Sequence, residues 1–174
     1  GNTWGTALSG GAPFCSDAFV TSPPMDLSAY QGLALKLRFW QWHDFRNCIP
    51  GGFFCSIPCA LDTSTYSGGI VEVFDGGQWV KISPAGGYTG TKIDCYYVDP
   101  DGGVTCQPCA LDGVNGFSGQ SGTWVHVEMD ISSYAHATFQ VRFHFASYAN
   151  EPICHPNRPG WFIDDVSIAK LSCP

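Results

Sequence analysis

A fifteen-residue pattern occurs twice in this chain and constrains the fold more than any other feature. Residues 25–39 read MDLSAYQGLALKLRF and residues 129–143 read MDISSYAHATFQVRF, aligned without a gap at an offset of 104. Met, Asp, Ser, Tyr, Arg and Phe coincide, and Leu27/Ile131, Ala29/Ser133 and Leu37/Val141 are conservative exchanges. Each copy is a short polar turn, Asp-hydrophobe-Ser-x-Tyr, leading into a segment with apolar residues at every second position. These are Leu35, Leu37 and Phe39 in the first copy, and Phe139, Val141, Phe143 and Phe145 in the second. Period two belongs to a half-buried strand, because successive side chains point to opposite sides. The period far exceeds the roughly 20–50 residues of a solenoid unit. It predicts two equivalent strands, one in each face of a single β-sandwich.

The rest of the chain fits that frame. Trp4–Leu8 and Ala18–Thr21 are strand-like, and Pro23 and Pro24 end the second, since proline cannot donate to a ladder. A long strand runs from Leu33 to about Asp44, with Lys36, Arg38, Trp40 and Trp42 on its other face. Ile70–Phe74 and Trp79–Ile82 flank Asp75-Gly76-Gly77, a tight hairpin turn. Trp124–Ile131 follows with Val125, Val127, Met129 and Ile131 facing in, and Trp161–Leu171 closes the chain. No helix is predicted. Segments 46–68 and 84–122 are long cysteine-bearing loops, which in a compact domain are functional or cross-linked. About eight unevenly spaced strands favour an all-β jelly-roll sandwich of two antiparallel sheets over a meander. At 174 residues the chain is expected to form one domain, 1–174.

Charge and cysteine content narrow the setting. Eight Lys and Arg against fifteen Asp and Glu give a formal charge of −7. There is no basic stripe to neutralise phosphates, which argues against nucleic acid and against an anionic membrane surface. No apolar run approaches the ~20 residues that span a bilayer. The chain opens on Gly1-Asn2-Thr3-Trp4 without Met or signal peptide, as a mature product or a module of a larger secreted protein does. Nine cysteines, Cys15, Cys48, Cys55, Cys59, Cys95, Cys106, Cys109, Cys154 and Cys173, point to disulfides in an oxidising compartment and hence to an extracellular or cell-surface location. The number is odd, so at least one is unpaired, joins another chain or binds metal.

The closing strand places Phe162, Asp164, Val166 and Ile168 on one face, which puts Asp164 in line with core residues. A buried carboxylate needs a cation or several donors. Calcium, Arg38 or Arg142, and backbone N–H groups are the candidates, with Asp165 as a second ligand in the calcium case.

These residues also carry a resemblance. Trp4-Gly5-Thr6, Pro24-Met25-Asp26-Leu27-Ser28, Leu37-Arg38-Phe39-Trp40-Gln41-Trp42 and the run from Tyr66 to Trp79 occur in that order. Phe117–Trp124, Asp130–Ala135, Val141–Phe145 and Gly160-Trp161-Phe162-Ile163-Asp164-Asp165-Val166 follow. The order resembles the MAM-like jelly-roll domains of immune inhibitor A-type metallopeptidases and of bacterial, notably myxobacterial, surface proteins. It covers nearly the whole chain outside the cysteine loops, and the closing run is its most specific part. The resemblance implies a non-catalytic sandwich attached to larger secreted proteins, often with a structural calcium, here at Asp164 and Asp165, and with Trp161 in packing. Ser67 and Tyr148 stand where relatives often carry Asp, and the cysteine loops are not a general feature of the family.

Cys55-x3-Cys59-Ala-Leu-Asp62 and Cys106-x2-Cys109-Ala-Leu-Asp112 echo each other. Their spacing suits either disulfides, the commoner use in this compartment, or a four-thiolate zinc site. Cys106-Gln-Pro-Cys109 has the form of a redox pair but lacks the surrounding βαβ unit. Trp40 and Trp42 beside Arg38 form an aromatic platform suited to a sugar ring or a protein partner, unless the 46–68 loop covers it. No H-E-x-x-H or G-x-S-x-G is present, and no glycosidase carboxylate pair is visible among three glutamates, so an enzyme is not expected. The sequence thus predicts a non-catalytic extracellular adhesion or interaction module with a structural calcium, binding a glycan or protein at the cell surface. A carbohydrate-binding module using Trp40, Trp42 or the loop aromatics Phe53, Phe54, Tyr96 and Tyr97, and an accessory domain of a secreted metallopeptidase, are the alternatives.

Overall fold

The fold follows from the repeat, seen in a computed structural model that describes residues 3–7, 10–12, 15–45, 65–90, 92–95, 97–98, 104–106, 109–147 and 158–171. In each copy the aspartate carboxylate accepts the backbone N–H two residues on, Asp26 from Ser28 and Asp130 from Ser132, both at 2.9 Å. This side-chain turn initiates one 3-10 turn per copy, Ser28–Tyr30 and Ser132–Tyr134. The strands that follow lie in different sheets, as the repeat predicts. One sheet has the order β1 (Trp4–Gly5), β10 (Gly160–Lys170), β3 (Leu35–Asp44), β8 (Val125–Asp130). The other has β2 (Asp17–Thr21), β9 (Gln140–Ser147), β4 (Ser67–Phe74), β5 (Trp79–Ile82). Strands β3 and β9, the two repeat strands, are each internal to their sheet, and all these pairings are antiparallel. A short ribbon, β6 (Tyr97–Val98) with β7 (Val104–Cys106), lies apart from both sheets.

The copies also hold each other. The Met25 N–H donates to the Phe139 carbonyl at 2.8 Å, and the Ile131 N–H donates to the Leu35 carbonyl at 3.1 Å. Each turn is thereby tied to the start of the other copy's strand. The alternating residues Leu35, Leu37, Phe39, Phe139, Val141, Phe143 and Phe145 are all buried and meet in one core. Phe39 and Phe143 touch edge to face across the sheets, with ring centroids 5.0 Å apart.

Three expectations are corrected. The 84–122 segment is not featureless: Lys92 bridges Asn115, Gly69 bridges Phe117 and Asp44 bridges Gln120. Ile93, Cys95 and Leu111 from it pack on Ile70 and Ala146, so β4 is covered on both faces. That is why glycines open β4. A Cβ on Gly69 would lie 2.4 Å from the Trp161 ring, and one on Gly68 would lie 2.7 Å from Ile93. Val125, expected to face in, is 37% exposed at the end of β8.

The third correction concerns Asp164. Opposite β3, Asp164 pairs with Trp40 and Ser167 with Arg38, so two residues of β10 oppose one of β3. This is a β-bulge, with Asp165 in the left-handed region at φ 51°. It reverses the alternation. Trp161 and Ile163 face the core before the bulge and Val166 and Ile168 after it, while Phe162 and Asp164 face outward. Asp164 is therefore not a core carboxylate.

Candidate functional site

The bulge sets Asp164 into a cross-strand row on the outer face of the β1-β10-β3-β8 sheet. Asp164 stands opposite Trp40, and Trp40 opposite His126. The Trp40 indole is 41% exposed, and its ring lies 5.3 Å from that of His126. In the next row Trp42 rests on Phe162 at 5.7 Å and is only half-exposed. On the other side, Arg38 Nε lies 2.7 Å from Glu128 Oε1 and Lys36 Nζ lies 2.9 Å from Asp130 Oδ2. The face thus grades from aromatic to ion-paired. Of the predicted platform, Trp40 is the open surface, Trp42 the packed support and Arg38 the rim. Residues 46–64 of the predicted covering loop lie outside the described residues.

A cleft of about 490 Å³ adjoins this face at the outer edge of β8, beside the bridge from Pro84 to Met129. His126 and Glu128 belong to both, and Thr89, Gln120 and Ser121 add polar groups opposite them. Gln41 and His43, inner-face residues of β3, line its depth. His43 is 3% exposed and stacks on Phe45 at 4.9 Å. Burial pushes its pKa down to about 4 against the opposing pull of its bond to the Ser118 carbonyl, so the imidazole is neutral at pH 7. The His43 backbone N–H donates to Ser121 Oγ at 3.0 Å, and Gln41 Oε1 accepts from Trp161 Nε1 at 2.7 Å. The sequence did not single out His126 or the cleft. The alternation opposite Val127 and Met129 does place His126 and Glu128 outward, but the register that sets them beside Trp40 and Arg38 is not readable from it.

Neither arginine proposed as a partner for Asp164 serves it. Arg38 pairs with Glu128, and Arg142 Nε lies 2.6 Å from Glu72 Oε2 on the other sheet's outer face. There His144 sits between Glu72 at 3.1 Å and Asp17 at 2.5 Å. Burial raises the Glu72 carboxyl, but hydrogen bonds from His144 and Arg142 outweigh it and hold it at about 2. Burial likewise lowers His144, and the bonds to Glu72 and Asp17 overcome it, so its pKa is raised.

Asp164 is satisfied by neutral donors. Its Oδ2 accepts from Thr3 Oγ1 at 2.9 Å and its Oδ1 from the Asp165 N–H at 2.8 Å. Calcium takes six to eight oxygens, several of them carboxylate. Among the described residues no group of three His, Cys, Asp or Glu side chains gathers to hold a metal.

Cys95 and Cys109 form a disulfide, with Cα atoms 5.8 Å apart, that clips the 84–122 segment to itself. This removes Cys109 from a four-thiolate zinc site and from a redox pair with Cys106. Cys15 is also disulfide-bonded. Cys48, Cys55, Cys59, Cys154 and Cys173 lie outside the described residues, as does the side chain of Cys106.

No family model matches the chain, and a search of curated proteins finds no match. Among the described residues no helix is long and apolar enough to cross a membrane.

Proposed function

We propose that this chain is a non-catalytic extracellular interaction module that binds carbohydrate on the outer face of the β1-β10-β3-β8 sheet. The observation that carries the reading is the exposed Trp40 indole on a flat sheet face, with Asp164 on one side and His126 on the other. A sugar ring offers an apolar C–H face and a rim of hydroxyls. It calls for an aromatic plane with hydrogen-bonding groups at its margin, and Trp40 with Asp164, His126 and Glu128 supplies both. On the Arg38 side ion pairs begin one row away, which bounds the aromatic surface at the Trp40 row.

The jelly-roll reading belongs to the same proposal. The eight sheet strands pair first with last and second with next-to-last, the wrapped connectivity of two Greek keys. The resemblance to MAM-like domains and the disulfides support secretion and attachment to a larger protein.

The test is binding to immobilised cellulose, xylan, chitin and mannan. The native chain retains at least one of them, Trp40→Ala loses it, and Tyr30→Ala, altered at a residue 42% exposed in a 3-10 turn, keeps it. Binding to none of them, or undiminished binding by Trp40→Ala, would overturn the proposal.

A further inference from the structure

The sandwich has a second unusual surface, on the opposite sheet. We infer that the free edge of β2 pairs with the same edge of a second copy of this chain, joining two sheets across a two-fold axis at Phe19.

Strand β2 is the end strand of its sheet, and all five of its residues are exposed, Phe19 at 58% and Val20 at 40%. Its phase against β9 is fixed at both ends. The Ser147 N–H donates to the Ser16 carbonyl at 2.8 Å, and the Ser22 N–H donates to the Val141 carbonyl at 2.8 Å. In an antiparallel ladder, backbone groups face the partner strand at alternate residues, here Ser16, Ala18, Val20 and Ser22. The N–H and C=O groups of Asp17, Phe19 and Thr21 therefore point away from β9. They make no other backbone hydrogen bond to a described residue. Edge strands are ordinarily blunted by charged side chains, proline or a bulge, and of these β2 carries only Asp17, at its first position.

This edge is complementary to itself. With Phe19 opposite Phe19 of the second copy, Asp17 falls opposite Thr21 at each end. Every outward N–H then meets an outward C=O, and no like charges oppose. A shift of one residue sets outward groups against inward ones, and a shift of two leaves a shorter ladder. A peptide of unrelated sequence has no such built-in register. The same edge borders an apolar cavity of about 150 Å³ between β1 and β2, lined by Trp4, Val20, Phe143, Trp161 and Ile163. Trp4 at its mouth is 41% exposed, so joining two copies there removes apolar surface from water as well as completing the ladder.

Sedimentation equilibrium over a dilution series tests the inference. The native chain is expected to dimerise, and Phe19→Lys and Phe19→Glu each to be monomeric, because each sets like charges opposite one another. An equal mixture of the two variants is expected to recover the dimer. Thr21→Pro removes one outward N–H and no bond to β9, and is expected to weaken the dimer without a change of fold by circular dichroism. A native chain that stays monomeric at all concentrations, including one whose edge captures an unrelated peptide, would overturn it. So would single variants that remain dimeric, or a mixture that remains monomeric.

Discussion

Asp164 faces Trp40 across the β10–β3 ladder on the side of the sheet turned away from the core. That placement depends on one extra residue. Without the bulge at Asp165, period-two alternation would carry Asp164 inward with Val166 and Ile168. The bulge sets a carboxylate next to the exposed Trp40 on the outer face.

Close packing at the β4 glycines gives the first prediction. Gly69→Ala must displace the Trp161 ring, whose nearest atom lies 2.4 Å from the new Cβ. Trp161 also touches Phe143 and Phe117 and donates to Gln41, so it has little room to move. Overpacking of this kind costs about 1–3 kcal/mol, measurable as a shift of the urea midpoint at unchanged slope. Gly76→Ala, in the Asp75–Gln78 turn, is strained by a φ of 98° and not by packing, and leaves the Trp161 near-ultraviolet signal unchanged.

What could be read in advance divides by range. The repeat gave two strands, two turns and the inward set from Leu35 to Phe145, because each depends only on neighbours in sequence. The bulge at Asp165, the pairing of Trp40 with His126, and Cys95 with Cys109 depend on register and on approach between distant segments. Periodicity carries no information about these. The expected strand Ile70–Phe74 begins three residues earlier, at Ser67, because Gly68 and Gly69 make room for a side chain and a ring far away in sequence.

His43 makes the protein acid-sensitive in a defined window. Its folded pKa of about 4 lies below the ordinary 6.5, so the folded state resists the proton that the unfolded chain accepts. Its contribution is complete above pH 6.5 and is lost as pH falls toward 4, on the order of 3 kcal/mol in all. His144, with a raised pKa, contributes fully below 6.5, and Glu72 keeps its contribution until pH falls below 4.5 toward 2. Among His43, His144 and Glu72, the slope between 6.5 and 4.5 therefore belongs to His43. The melting temperature should drop across that window, and His43→Gln should flatten the drop.

The Cys95–Cys109 bridge closes a loop with a sequence separation of 14. A loop of that size stabilises by about 3 kcal/mol through the unfolded chain. Both half-cystines lie with Ile93, Leu111 and Ile70, in the layer over β4 and away from Trp40. The double variant Cys95→Ser/Cys109→Ser should lose about that much stability in a urea melt and retain carbohydrate binding.

Asp164 accepts from Thr3 Oγ1 and from the Asp165 N–H, which satisfies one bond at each carboxylate oxygen. A thermal melt in excess EDTA should match the melt in calcium. A fall reversed by calcium and absent in Asp164→Asn would show a shell completed by oxygens beyond the described residues, since an ion at ~100 times its dissociation constant stabilises by about 2.7 kcal/mol.

The most direct measurement is a two-dimensional amide NMR titration of the isotopically labelled chain with a soluble oligosaccharide of the retained polysaccharide. Binding at the proposed face predicts shifts concentrated at Trp40, His126, Glu128 and Asp164 and at the Trp40 indole N–H, with β2 and β5 unmoved. Shifts centred on the opposite sheet, or none at saturating sugar, would contradict carbohydrate recognition by the Trp40 face.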